Sequence, residues 1–173
     1  MAEITRTTST EEILTLTEPC SCTACQHGCK MGSGTLGDGD AEPMAKLLGI
    51  SVAELKEKHL EEIEKFNTKR LRPKILRNGK QYGNCTFFKE GKCSVHAAKP
   101  LECKVAMPCK PYGDKLIAWF DLKHFLNPND PESVRQYAAF LRVGGMLLPN
   151  AAIADIVPDA AQREKILSYE VLK

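Results

Sequence analysis

Four cysteines fall within ten residues, in Cys20-Ser21-Cys22-Thr23-Ala24-Cys25-Gln26-His27-Gly28-Cys29, and four more follow at Cys85, Cys93, Cys103 and Cys109. Thiols so close along the chain cannot readily meet disulfide geometry among themselves, but they can converge on one metal centre as the chain loops round it. The second set is separated by seven, nine and five residues and must be gathered by the fold. A chain of 173 residues buries enough core to fold without covalent staples, so disulfides are not needed for size. Metal is the economical explanation of eight thiols in one modest domain.

The remaining composition excludes several classes. The apolar fraction of 43% and charged fraction of 27% describe an ordinary folded domain. Met1 to Glu18 carries Glu3, Glu11 and Glu12 among threonines and lacks the basic start and apolar run of a secretory signal. The reading is therefore a cytoplasmic protein. No stretch reaches the roughly 18 to 20 consecutive apolar residues of a membrane span, the segment Met146 to Val157 being broken by Pro149, Asn150 and Asp155. A net charge of +2 gives no argument for nucleic acid. The basic run Lys69, Arg70, Arg72, Lys74, Arg77 and Lys80 follows the acidic Glu54, Glu57, Glu61, Glu62 and Glu64 and reads as part of a solvated face.

Local signals outline the elements. The glycine-rich stretch 32–40 is a loop, and Met44 to Leu48 is a short helix ended by Gly49. Ser51 with Glu54 opens a further helix whose stripe is Val52, Leu55, Ile63 and Phe66, with His59 on the core side. Asn78-Gly79 and Glu90-Gly91 mark tight turns, so short strands carry Cys85 and Cys93. Pro100 starts a helical turn bearing Cys103. Leu116 to Phe125 is apolar without a clear period, Pro131 to Val143 is an amphipathic helix with Val134, Ala138 and Leu141 on one face, and Ala160 to Leu172 forms a terminal helix. The fold class expected is α+β: residues 1–19 as an amino-terminal extension, 20–110 as a loop-rich cysteine-cluster core with short helices and a β-hairpin, and 111–173 as a mainly helical segment packed on it.

Zinc sites usually show two Cys-x2-Cys knuckles, whereas Cys22 and Cys25 form the single one here. Irregularly spaced thiolates suit a cluster whose irons take ligands from several directions. Backbone at Gly28, Gly32 and Gly34 is close enough in sequence to donate to cluster sulfurs. The loop lacks a Gly-Lys-Ser/Thr ending, which argues against nucleotide binding. The spacing also departs from that of bacterial ferredoxins. Eight thiolates allow two four-iron clusters, two zincs, one of each, or one centre with spare cysteines.

The strings Cys22-Thr-Ala-Cys25-Gln-His-Gly-Cys29, Asn84-Cys85-Thr-Phe-Phe, Gly91-Lys-Cys93-Ser-Val-His96, Lys99-Pro100-Leu-Glu-Cys103 and Met107-Pro108 resemble the YkgJ-like cysteine-cluster family of zinc- or iron-chelating proteins. The likeness runs from Cys20 to Cys109. Members typically open Cys-x2-Cys-x2-Cys-Cys, whereas Gly28 takes the third cysteine's place here and Cys20 is additional. They show Tyr-x2-Arg-Pro where this chain has His96-Ala-Ala-Lys99-Pro100. A related segment occurs in a flagellin lysine methylase, where it resembles an iron–sulfur module.

Three functions are open to such a chain. The first is an iron–sulfur protein with one or two [4Fe-4S] clusters held among Cys20, Cys22, Cys25, Cys29, Cys85, Cys93, Cys103 and Cys109, serving in electron transfer or as a redox accessory of a partner enzyme. The second is a zinc-stabilised interaction module without chemistry of its own, in which Trp119, Phe120 and Phe125 meet a protein partner or simply form the core. The third is an enzyme using a reactive thiol or metal-bound water with His27, His96 or Asp114, none of which lies in a recognised catalytic string.

Overall fold

Two apolar cores, with cysteine-bearing segments between them, organise the chain in a computed structural model that describes residues 3–168. The element order is α1 (Thr10–Thr15), α2 (Thr23–Met31), α3 (Ala41–Leu48), α4 (Val52–His59), β1 (Leu60–Lys65), β2 (Thr68–Pro73), β3 (Ile75–Leu76), β4 (Asn84–Cys85), β5 (Phe88–Lys89) and β6 (Lys92–Cys93). A 3-10 turn, His96–Ala98, leads to α5 (Leu101–Val105), α6 (Gly113–His124), α7 (Pro131–Arg142), α8 (Ile153–Ile156) and α9 (Ala160–Leu167). The strands form three separate antiparallel pairs, β1-β2, β3-β4 and β5-β6. This is an α+β fold with a helical carboxy-terminal segment.

The smaller core gathers Leu36, Met44, Leu55, Leu60, Phe87, Phe88 and Val95, with Cys85 buried in it and Cys29 and Cys93 packed on its edge. The larger core gathers the faces of α5 to α9 around Trp119, Phe120 and Phe125, all fully buried. These aromatics are core residues and offer no docking surface. Residues 1–19, expected as an extension, give Ile4 and Ile13 to this larger core. Trp119 Nε1 donates to Thr8 O at 2.8 Å, and the Arg6 amide donates to Pro149 O at 3.1 Å. Helix α1 begins at a full capping box, Ser9 with Glu12, which satisfies two donors that a short helix would otherwise leave open.

One expected element differs. The helix opened by Ser51 ends at His59, and Ile63 and Phe66 belong to a β-hairpin instead of a helical stripe. From Glu61 to Lys65 burial alternates with period two, placing Glu61, Ile63 and Lys65 inward and Glu62 and Glu64 outward. Phe66 and Asn67 turn the chain with φ of 46° and 55°, the left-handed geometry that a two-residue hairpin requires. The acidic and basic runs are thereby placed opposite one another, Glu61 against Arg72 and Glu64 against Lys69. Glu61 accepts from Arg72 at 3.0 Å and from Arg77 at 2.7 Å. Cross-strand charge pairing selects the hairpin over a longer helix.

Other local readings match the structure. Asn78 and Gly79 both take positive φ in the loop joining β3 to β4, as do Glu90 and Gly91 between β5 and β6. Leu116 to Phe125 lies mostly in α6. The terminal helix spans Ala160–Leu167, and the end of the stretch read as helix, up to Leu172, lies outside the described residues.

Candidate metal centre

The segment around the first cysteines is helical where a loop was expected. Cys22 is the extended N-cap of α2, and it is exposed. Cys25 lies three residues on, the spacing that brings side chains together at a helix start. Their sulfurs are 3.7 Å apart. Cys20 precedes the helix, and Cys109 arrives from the turn after α5, with Sγ 3.8 Å from that of Cys20 and 3.9 Å from that of Cys25. Among the described residues, Cys20, Cys22, Cys25 and Cys109 are the group whose ligand atoms all lie within 4.8 Å of one another. All eight cysteines are free thiols.

Cys29 and Cys109 have thus exchanged the sets in which chain order puts them. Cys29 follows Cys25 by four residues on the same helix, about 6 Å further along its axis, and so leaves the first group. Cys109 is fixed by packing. The Lys110 amide closes a turn on Met107 O at 3.0 Å, and Gly113 stands where any Cβ would strike that same carbonyl. Tyr112 Oη then donates to Leu16 O at 3.0 Å, tying this turn to the strand of chain that delivers Cys20.

Cys29 on α2, Cys85 on β4, Cys93 on β6 and Cys103 on α5 line a cavity of about 750 Å³, whose wall also includes Cys20 and Cys25. Their charges are felt mutually: Cys93 raises the Cys29 thiol, and both raise that of Cys85. Burial is the main cause in each case and lifts Cys85 to about 11. Cys103 is pushed up by burial as well. Backbone amides oppose this, those of Phe87 and Phe88 acting on Cys85, that of Val95 on Cys93 and that of Gly34 on Cys103. Amide donors of this kind favour the thiolate that a metal requires. Lys99 lowers both Cys29 and Cys93.

In the first group the Cys25 amide is the largest influence on Cys22, bringing its thiol down to about 7, while burial raises Cys25. The two neighbouring thiols are therefore shifted in opposite directions.

The glycines differ in what they do. Gly34 lies directly against Cys103, whereas Gly28 and Gly32 border the cavity with nothing within 4 Å of where a Cβ would be. Asp40 escaped sequence reading. It is 9% exposed, and its Oδ2 accepts from the amides of Gly37 at 2.7 Å and Leu101 at 2.6 Å, fastening the glycine loop to the start of α5. An acid closing a glycine-rich loop was the available signal. Glu102 adds a second tie by accepting from the Thr35 amide at 2.5 Å.

His96 borders the cavity from an exposed position, and His27 and Asp114 are exposed on α2 and α6. His59 is half-buried with its ring 5.6 Å from that of Phe87. Among the described residues, no helix is long and apolar enough to cross a membrane.

The model of a family labelled CxxCxxCC, whose description is "Putative zinc- or iron-chelating domain", matches residues 21–123. No curated protein and no solved structure matches the chain.

Proposed function

Because the chain belongs to the CxxCxxCC family of zinc- or iron-chelating domains, the family anticipated from its cysteine strings, we propose that it is a cytoplasmic iron–sulfur protein. In this reading Cys29, Cys85, Cys93 and Cys103 hold a [4Fe-4S] cluster, and the protein serves in electron transfer or as a redox accessory to a partner enzyme. The observation that supports it best is the cavity of about 750 Å³ walled by thiols from four separate elements. A single ion pulls its ligands into a tight shell. A cluster of irons and sulfides needs room and accepts thiolates from several directions.

The surroundings agree with that chemistry. When bound, the cluster supplies one-electron exchange, and the amides of Phe87, Phe88, Val95 and Gly34 with the Lys99 ammonium offset the negative charge of the thiolates. The apolar walls from Phe88, Val95, Pro100 and Met107 limit water. Both features set a reduction potential and need no substrate pocket.

Anaerobic isolation tests the reading. A brown protein containing iron and acid-labile sulfide in equal amounts, with an electron-spin signal after reduction, is the expected result. A colourless protein that holds zinc alone refutes it.

A further inference from the structure

We infer that Cys20, Cys22, Cys25 and Cys109 form a separate site for a single tetrahedral zinc ion, so that the chain carries two inequivalent metal centres. Four ligands placed tetrahedrally around one ion lie about 1.63 bond lengths apart, so a Zn–S bond of about 2.3 Å sets sulfur–sulfur edges of about 3.8 Å. Three of the six edges are 3.7, 3.8 and 3.9 Å, and all four sulfurs lie within 4.8 Å of one another. A four-iron cluster interposes an iron–iron edge between each pair of thiolates and spreads them farther than this.

Local structure agrees. Cys22 and Cys25 make a knuckle at the start of α2, with their sulfurs 3.7 Å apart. Four protein thiolates close the shell and leave no position for water or substrate, which marks a structural site. Such an ion joins chain positions 84 to 89 residues apart. It fastens α2 to the turn that Tyr112 already anchors to Leu16. The contrast between the two centres rests on the [4Fe-4S] reading of the cavity, but the geometry of this tetrad does not.

The test uses the full chain isolated anaerobically, as wild type, Cys109→Ser and Cys93→Ser, with metal and sulfide analysis and X-ray absorption at the zinc and iron edges. Wild type is expected to hold one zinc surrounded by four sulfurs together with iron and sulfide. Cys109→Ser should lose the zinc and keep the visible band, and Cys93→Ser should do the reverse. The wild-type zinc edge alone suffices if a variant fails to fold. Iron neighbours around every metal, with no zinc, would overturn the inference and leave the iron–sulfur reading standing. Two zincs and no iron, one of them lost in Cys109→Ser, would uphold the tetrad and remove the cluster.

Discussion

Gly34 and Cys103 are in direct backbone contact: a Cβ added at Gly34 would stand 2.5 Å from Cys103 Sγ and 2.7 Å from the Cys103 amide nitrogen. The Gly34 amide acts on the same sulfur. No rotamer relieves a clash that involves backbone, so Gly34→Ala must push the glycine loop away from α5. The expected loss of stability in metal-free protein is about 1–3 kcal/mol. Gly28→Ala is the contrast, because its methyl meets nothing and replaces a helical glycine. That change should stabilise metal-free protein by about 0.5–1 kcal/mol. Urea denaturation of both variants checks the pair; equal effects would mean that the Gly34 contact is not maintained.

Asp40 carries two buried amides on one carboxylate oxygen. Asp40→Ala strands both, at about 1–3 kcal/mol for each unsatisfied donor. Asp40→Asn keeps an acceptor and should lose less than half as much. Denaturation midpoints of the two variants give the ratio, and a loss as large for asparagine as for alanine would show that charge, and not acceptance, is what Asp40 provides.

His124 supplies a pH dependence that does not involve the thiols. It is 9% exposed, its Nε2 lacks a hydrogen-bond partner, and burial followed by the nearby Arg70 lowers its pKa from 6.5 to about 4. Asp38 and Glu102 oppose the shift, and Lys123 adds to it. Between those two values the unfolded chain takes up a proton that the folded chain refuses. Stability is therefore complete above the unfolded value and falls as pH drops towards the folded one, by at most roughly 3.5 kcal/mol at about 1.4 kcal/mol per unit. His124→Phe, compared with wild type as metal-free protein, should flatten this slope. Parallel pH profiles of the two would exclude His124 as its source.

How much of this was legible in the sequence depends on how local each signal was. Asn78-Gly79, Glu90-Gly91 and Pro100 act within a few residues, and they located the elements that bear Cys85, Cys93 and Cys103. The 51–66 segment was ambiguous because Val52, Leu55, Ile63 and Phe66 suit a helical stripe while Glu61 to Lys65 equally suit a two-residue alternation. Pairing with Arg72 and Lys69 decided it, and that pairing becomes visible only once the turn is known. The exchange of Cys29 for Cys109 was hidden for a similar reason. Nothing near Cys109 announces the Tyr112 bond to Leu16 that brings it home.

Alkylation of metal-free protein should follow exposure. Cys22 is exposed and its thiol sits at about 7, whereas Cys85 is buried and lifted to about 11. Iodoacetamide at neutral pH should label Cys22 at least ten-fold faster, as read by peptide mass spectrometry. Metal loading should protect Cys22. Comparable rates at the two residues would mean that the smaller core is open in the metal-free state.

Helix α2 offers Cys25 to one group of sulfurs and Cys29 to the other, a single turn apart. A helix is stiff over that distance, so the two ends cannot be oriented independently. Were both groups to take metal, the first to fill would constrain the rotation and tilt of the rod for the other, coupling the two loading steps.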